Sequence, residues 1–123
     1  MNETFTAQME KELRELKIEL SDHQMNQFYD FYELLIKWNS VMNLTAITQM
    51  EDVVTKHFVD SLSLVKAVSD LGEKEYVLID VGTGAGFPGI PLKIAFPNLK
   101  IVLLDSLNKR VKFLDVYKRQ PCR

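Results

Sequence analysis

Asp80 and the glycines at positions 82, 84, 86 and 89 stand together in the stretch "DVGTGAGFPGIPLKI", residues 80–94. The chain has five glycines, so four of them within eight residues concentrate its backbone freedom at one place. Glycine lacks a β-carbon, tolerates positive φ and lets a ligand or a packed helix come close to the main chain. The apolar run "YVLI" precedes this stretch and a helix-compatible run follows it. Strand, glycine loop and helix in that order build a small concavity at a helix start. One glycine would serve a tight turn with close helix–strand packing; four predict a nucleotide-type site.

The neighbours of the glycines narrow the ligand. A triphosphate loop needs Lys followed by Ser or Thr after its last glycine, and here Gly89 is followed by Ile90 and Pro91. Gly84-Ala-Gly86-Phe-Pro-Gly89 satisfies G-x-G-x-x-G, which keeps a nicotinamide-type dinucleotide, and with it an oxidoreductase, as an alternative. Two features favour S-adenosylmethionine, whose amino-acid end carries cationic groups and no phosphate. Asp80, two residues before Gly82, suits a cation and would repel a pyrophosphate. Pro88 and Pro91 remove N–H donors near the helix start, where a pyrophosphate would use them. Asp105, 19 positions after Gly86, ends the run "IVLLD" and can accept hydrogen bonds from the ribose hydroxyls of an adenosine, or cap a following helix. Asp80, Gly84, Gly86 and Asp105 are thus the cofactor-binding candidates on chemistry alone.

The elements that must hold these residues change character near position 72. In "EKELRELKIEL", Leu13, Leu16 and Leu20 share a face with Ile18 nearby, as on an amphipathic helix. Ser21 and Gln24 fit a capping box. Met25, Phe28, Tyr29, Tyr32, Leu35 and Ile36, widened by Phe31 and Trp38, make a strong helical stripe. "NSVMNLTAIT" reads as a loop, and a second amphipathic stretch runs from about Glu51 to Leu71 with Val54, Phe58, Leu62, Val65 and Val68 on one face and Gly72 as its stop. From Tyr76 the pattern is that of parallel strands: "YVLIDV", the glycine loop, a short helix "GIPLKIAF" that Pro91 can start, a turn, the strand "IVLLD", then "SLNKRVKFL" with Leu107, Val111 and Leu114 on one helical face. The fold class is therefore α/β: N-terminal helices followed by the first strand-helix-strand-helix of a Rossmann-like sheet.

Four stretches in order, "KWNSVMNLTAIT", "KHFVDSL", "DVGTGAGFPGIPLKI" and "LLDSLNKRVKFL", resemble the glucose-inhibited division protein B family of bacterial methyltransferases over roughly residues 20–114. The resemblance implies a class I, Rossmann-like enzyme that transfers the methyl of S-adenosylmethionine to N7 of a guanine in 16S ribosomal RNA. It also implies Gly82 and Phe87 as cofactor contacts, and 16S RNA or the small ribosomal subunit particle as partner. Guanine N7 bears a lone pair and no proton, so catalysis can rest on alignment of the reactants, and no acid–base residue is assigned. The periodicities give a helical region at 1–72 and, with the resemblance, a partial donor-binding unit at 73–114. Because a family member continues through more strands, the chain is expected to be an N-terminal portion, with 115–123 foreign to the family.

Composition bounds the rest. Apolar residues make up 46% and charged residues 26%, a globular balance. No apolar run approaches the roughly 18 residues that span a bilayer, and the acidic, amphipathic N-terminus is unlike a leader, so a cytoplasmic monomer without membrane contact is expected. Cys122 is the only cysteine, which excludes an internal disulfide and a cysteine-based metal site; no metal is expected. Residues 1–60 carry five bases and eleven acids, whereas 106–123 carry six bases and one acid. Lys109, Arg110 and Lys112 in that basic end suit RNA phosphates or a solvated helix face equally. A helical RNA- or protein-binding module with a decayed nucleotide loop is the non-enzyme alternative. His57, at the edge of an apolar face, reads as structural; Asn39, Asn43 and Thr45 read as loop caps, and Tyr29, Tyr32 and Trp38 as core.

Overall fold

The computed structural model describes residues 2–105. The helix expected from Leu107, Val111 and Leu114, the basic residues 109–112 and the tail at 115–123 that is expected to be foreign lie outside the described residues. Helix α1 spans Glu3–Arg14, capped by Asn2, whose side chain accepts from Phe5 N at 3.0 Å. It begins and ends earlier than the leucine spacing predicts: Phe5, Met9 and Leu13 are its buried stripe. Lys17, at φ 57°, turns the chain out of the helix, so Leu16, Ile18 and Leu20 pack on the core from the connection.

Helix α2 spans Asp22–Met42 and starts on the expected capping box, with Gln24 N donating to Ser21 Oγ (3.1 Å) and Ser21 N donating to Gln24 Oε1 (2.9 Å). Its buried residues are Met25, Phe28, Phe31, Leu34 and Leu35. The helix runs through "NSVM", four residues beyond the expected break, because the chain turns only at Asn43, in the left-handed conformation that asparagine tolerates better than most residues. Asn39 and Thr45 are loop caps as expected: Asn39 Oδ1 accepts from Thr45 N at 2.8 Å.

Helix α3 is one irregular helix over residues 50–66. It comprises an α-turn at Met50–Val53, a π segment at Val54–Val59, an α-turn at Asp60–Leu62 and a 3₁₀ end at Ser63–Lys66. Val54, Phe58 and Leu62 are all fully buried. On a regular α-helix each four-residue step rotates the side chain by about 40°. The wider π turn counters that drift and keeps the three on one face. Phe58 is the hub of the helical core, with its ring centroid 5.2 Å from Phe28, 5.7 Å from Phe31 and 6.3 Å from Phe5.

Strand β1 (Val77–Val81), helix α4 (Gly89–Ala95) and strand β2 (Lys100–Leu104) form the α/β unit. The strands are parallel, registered from Val77 opposite Lys100 to Val81 opposite Leu104. α4 covers the face that carries Leu78, Asp80, Ile101 and Leu103. The opposite face, with Val77, Ile79, Val81, Val102 and Leu104, is exposed, so the strands are half-buried and not buried on both sides as their composition suggests. The halves are tied by Gln24, whose Nε2 donates to the carbonyls of Ile94 (3.0 Å) and Ala95 (3.2 Å) at the end of α4.

Candidate functional site

The glycine loop leaves β1 at Val81 and enters α4 at Gly89, and its conformation explains its composition. Gly82, Gly84 and Gly86 have φ of 69°, 62° and 99°, a region that side chains disfavour. A β-carbon at Gly82 or Gly84 would meet nothing within 4 Å, so the main chain there borders open space. Gly89 has a different reason to be glycine: a β-carbon would collide with Leu103 and lie 3.0 Å from Asp80 Oδ2. It is the glycine of close helix–sheet packing, whereas the first three shape the loop.

Most of the loop's donors are spent on the protein itself. Gly82 N and Thr83 N donate to Leu104 O (2.7 and 3.0 Å), while Gly86 N and Phe87 N donate to Thr83 O (3.0 and 3.1 Å). Gly84 N donates to Asp105 Oδ2 at 2.8 Å. Asp80 Oδ2 accepts from Thr83 Oγ1 (2.7 Å) and from Gly89 N (3.0 Å). Asp80 is only 8% exposed, so the acid expected to face a ligand instead lies beneath the loop and fastens both its ends. Asp105, half-buried at the end of β2, fastens the loop's middle. Thr83, buried and bonded to Asp80, escaped the sequence reading; its spacing of three residues from an acid at a strand end was the available signal.

Phe87 reaches from the loop into the helical half. Its ring lies 5.6 Å from that of Phe31 and stacks on the His57 imidazole at 4.3 Å with an interplanar angle of 6°. His57 Nε2 lies 2.9 Å from Thr45 Oγ1, which also accepts from Ile47 N at 3.1 Å. Burial pushes the His57 pKa below its ordinary value, and the neighbouring Asp60 carboxylate opposes that shift without cancelling it. These contacts, which periodicity could not supply, make the imidazole the link between the 43–47 loop and the glycine loop. Beside this stack opens a cavity of about 390 Å³, walled by Lys56, His57, Asp60, Ser61, Ser63 and Leu64 of α3 and by Phe87 and Pro88 of the loop. Of the candidates, then, Gly82, Gly84 and Phe87 reach the surface of one loop, Gly86 is buried within it, and Asp80 and Asp105 brace it. Among the described residues no cluster of three metal-ligating side chains occurs, and no helix is long and apolar enough to cross a membrane.

This arrangement can hold a small ligand against bare backbone without supplying a phosphate cradle. Residues 24–120 match the family model described as "GidB: rRNA small subunit methyltransferase G". A protein named "Ribosomal RNA small subunit methyltransferase G" in Lachnoclostridium phytofermentans is 59% identical over 104 residues, 84% of this chain and 42% of the relative. Proteins of the same name are 57% identical over 98 residues in Ligilactobacillus salivarius (80% of this chain, 41% of the relative) and 51% identical over 114 residues in Acetivibrio thermocellus (86% and 46%). The chain spans less than half the length of these curated relatives.

Proposed function

This chain belongs to the GidB family of ribosomal RNA small subunit methyltransferases, and on that premise we propose that its glycine loop seats S-adenosylmethionine for methylation of guanine N7 in 16S ribosomal RNA. The observation that carries the donor assignment is the pairing of internally satisfied loop amides with open space over Gly82 and Gly84. A pyrophosphate needs several inward N–H groups, and the loop has committed those of residues 82, 83, 84, 86, 87 and 89 elsewhere. A ligand whose near end carries a sulfonium and an ammonium beside one carboxylate is favoured by bare backbone and a negative field, which Asp80 supplies from below.

In this reading Gly82 and Gly84 lie against the donor, Gly86 shapes the loop from within at a φ of 99°, and Phe87 fixes the loop by its contacts with His57 and Phe31. Asp80 is a positioning residue. Asp105 has one oxygen on Gly84 N and stands at the strand end, where an adenosine ribose would be held. When bound, S-adenosylmethionine supplies a methyl on a sulfonium; its transfer to N7 leaves a neutral thioether and a cationic base, with no proton moved. The protein's task is then alignment, and no general base is assigned. Residues 1–72 are read as the helical region and 73–114 as the donor-binding unit of a cytoplasmic monomer acting on 16S RNA or the small subunit particle.

Calorimetric titration of the chain with S-adenosylhomocysteine and, separately, with NAD tests the donor assignment. Binding of S-adenosylhomocysteine alone, abolished by Gly84→Val, is the expected result. Binding of NAD alone overturns it in favour of a dinucleotide site.

A further inference from the structure

The cavity beside the His57–Phe87 stack has two chemically different walls. Lys56, His57, Asp60, Ser61, Ser63 and Leu64 come from α3; Phe87 and Pro88 come from the loop assigned above to the methyl donor. At about 390 Å³ it falls in the range of small-molecule sites. Its acid is uncommitted: among the described residues the Asp60 carboxylate has no hydrogen-bond or ion-pair partner, and Lys56 pairs with Asp52 at 3.8 Å instead. Each wall adds an aromatic ring, His57 from α3 and Phe87 from the loop.

A carboxylate accepts two parallel hydrogen bonds from a guanine through N1–H and the 2-amino group, whereas adenine presents an acceptor at N1. N7 lies on the other edge of the purine. A guanine held by Asp60 on the α3 wall therefore turns N7 towards the glycine-loop wall. The same carboxylate also favours the positive charge that the base acquires on methylation. We propose that this cavity receives the target guanine, with Asp60 as the residue that selects guanine over adenine and the His57–Phe87 stack as the rigid edge against which the ring lies. This inference rests on the methyl-transfer reading of the loop.

The test titrates the full chain with guanosine 5′-monophosphate and adenosine 5′-monophosphate while the imidazole resonances of His57 are followed by NMR, with S-adenosylhomocysteine binding measured on the same samples. The guanine nucleotide is expected to shift His57 and to bind roughly tenfold or more tightly than the adenine nucleotide. Asp60→Asn is expected to erase that preference while leaving S-adenosylhomocysteine binding intact, which also reports that the variant is folded. Equal binding of the two nucleotides, an unmoved His57, or a preference that survives Asp60→Asn overturns the proposal. If S-adenosylhomocysteine binds and His57 ignores the guanine nucleotide, this inference alone falls. If the unsubstituted chain does not bind S-adenosylhomocysteine, the donor reading falls and takes the inference with it.

Discussion

In the helical half, Phe5, Phe28, Phe31 and Phe58 are fully buried, whereas Val77, Ile79 and Val81 along β1 stand 59–77% exposed. Both halves are rich in apolar residues and share one buried cluster, to which the α/β half adds Ile90, Leu92, Ile94 and Leu99, but only the sheet leaves an apolar face open. Each helix has one apolar stripe, and three helices suffice to bury all three stripes. A parallel sheet has two apolar faces, and α4 covers one. The glycine loop sits where the two regimes meet. Its first part is braced by the sheet, through Leu104 O and Asp105, and its last part is anchored in the helical core, through Phe87. A site built on that seam inherits rigidity from the enclosed half and an open approach from the other.

Substitutions that act on one half and spare the other test this contrast. Phe58→Ala removes the hub of the enclosed core and should cost about 3–5 kcal/mol, read by urea unfolding; a loss below 1 kcal/mol would mean that the helical core is loose. Gly89→Ala should cost about 1–3 kcal/mol through collision with Leu103, and Leu103→Ala in the same chain should recover part of it. Gly84→Ala has free space around it but a φ of 62°, so it should cost about 1–2 kcal/mol with no recovery from Leu103→Ala. Recovery in both double variants, or in neither, would erase the distinction between a packing glycine and a loop-shaping one.

The pH dependence of stability separates the halves more gently. The His57 pKa is lowered in the folded chain from its ordinary 6.5, chiefly by burial. Between the two values the unfolded chain binds more protons, so stability falls as pH drops through about 6.5 and levels off below the folded pKa. His57→Gln should flatten that part of a urea-midpoint profile, and an unchanged profile would mean that the imidazole is not buried against Phe87. Ile79→Lys, on the exposed sheet face, should change stability by less than about 0.5 kcal/mol. A large loss there would show that the face is covered in solution.

Much of this was legible in residue order. The capping box at Ser21 and Gln24, the strands around Ile79 and Val102, and the loop between Val81 and Gly89 follow from local chemistry, because each depends on residues close in sequence. Boundaries were less legible. α2 outran its expected end because Asn39 serves inside the last turn and caps the loop from there. The π segment at Val54–Val59 was hidden because four-residue spacing reads the same on paper whether the turn is α or π.

The division at the candidate site is sharper. The sequence by itself determined that a bare backbone must follow a strand near Asp80 and that Asp105 must end the next strand, since glycine content and apolar runs act over a few residues. Tertiary structure alone decided what the two acids do, turning Asp80 under the loop onto Thr83 and Gly89 and Asp105 onto Gly84. It alone stacked His57 on Phe87, 30 positions away, and opened the cavity with Asp60 beside them. Which partner a polar group finds depends on the approach of elements distant in the chain, and burial, which makes an unpaired group costly, enforces that choice only once the core has closed.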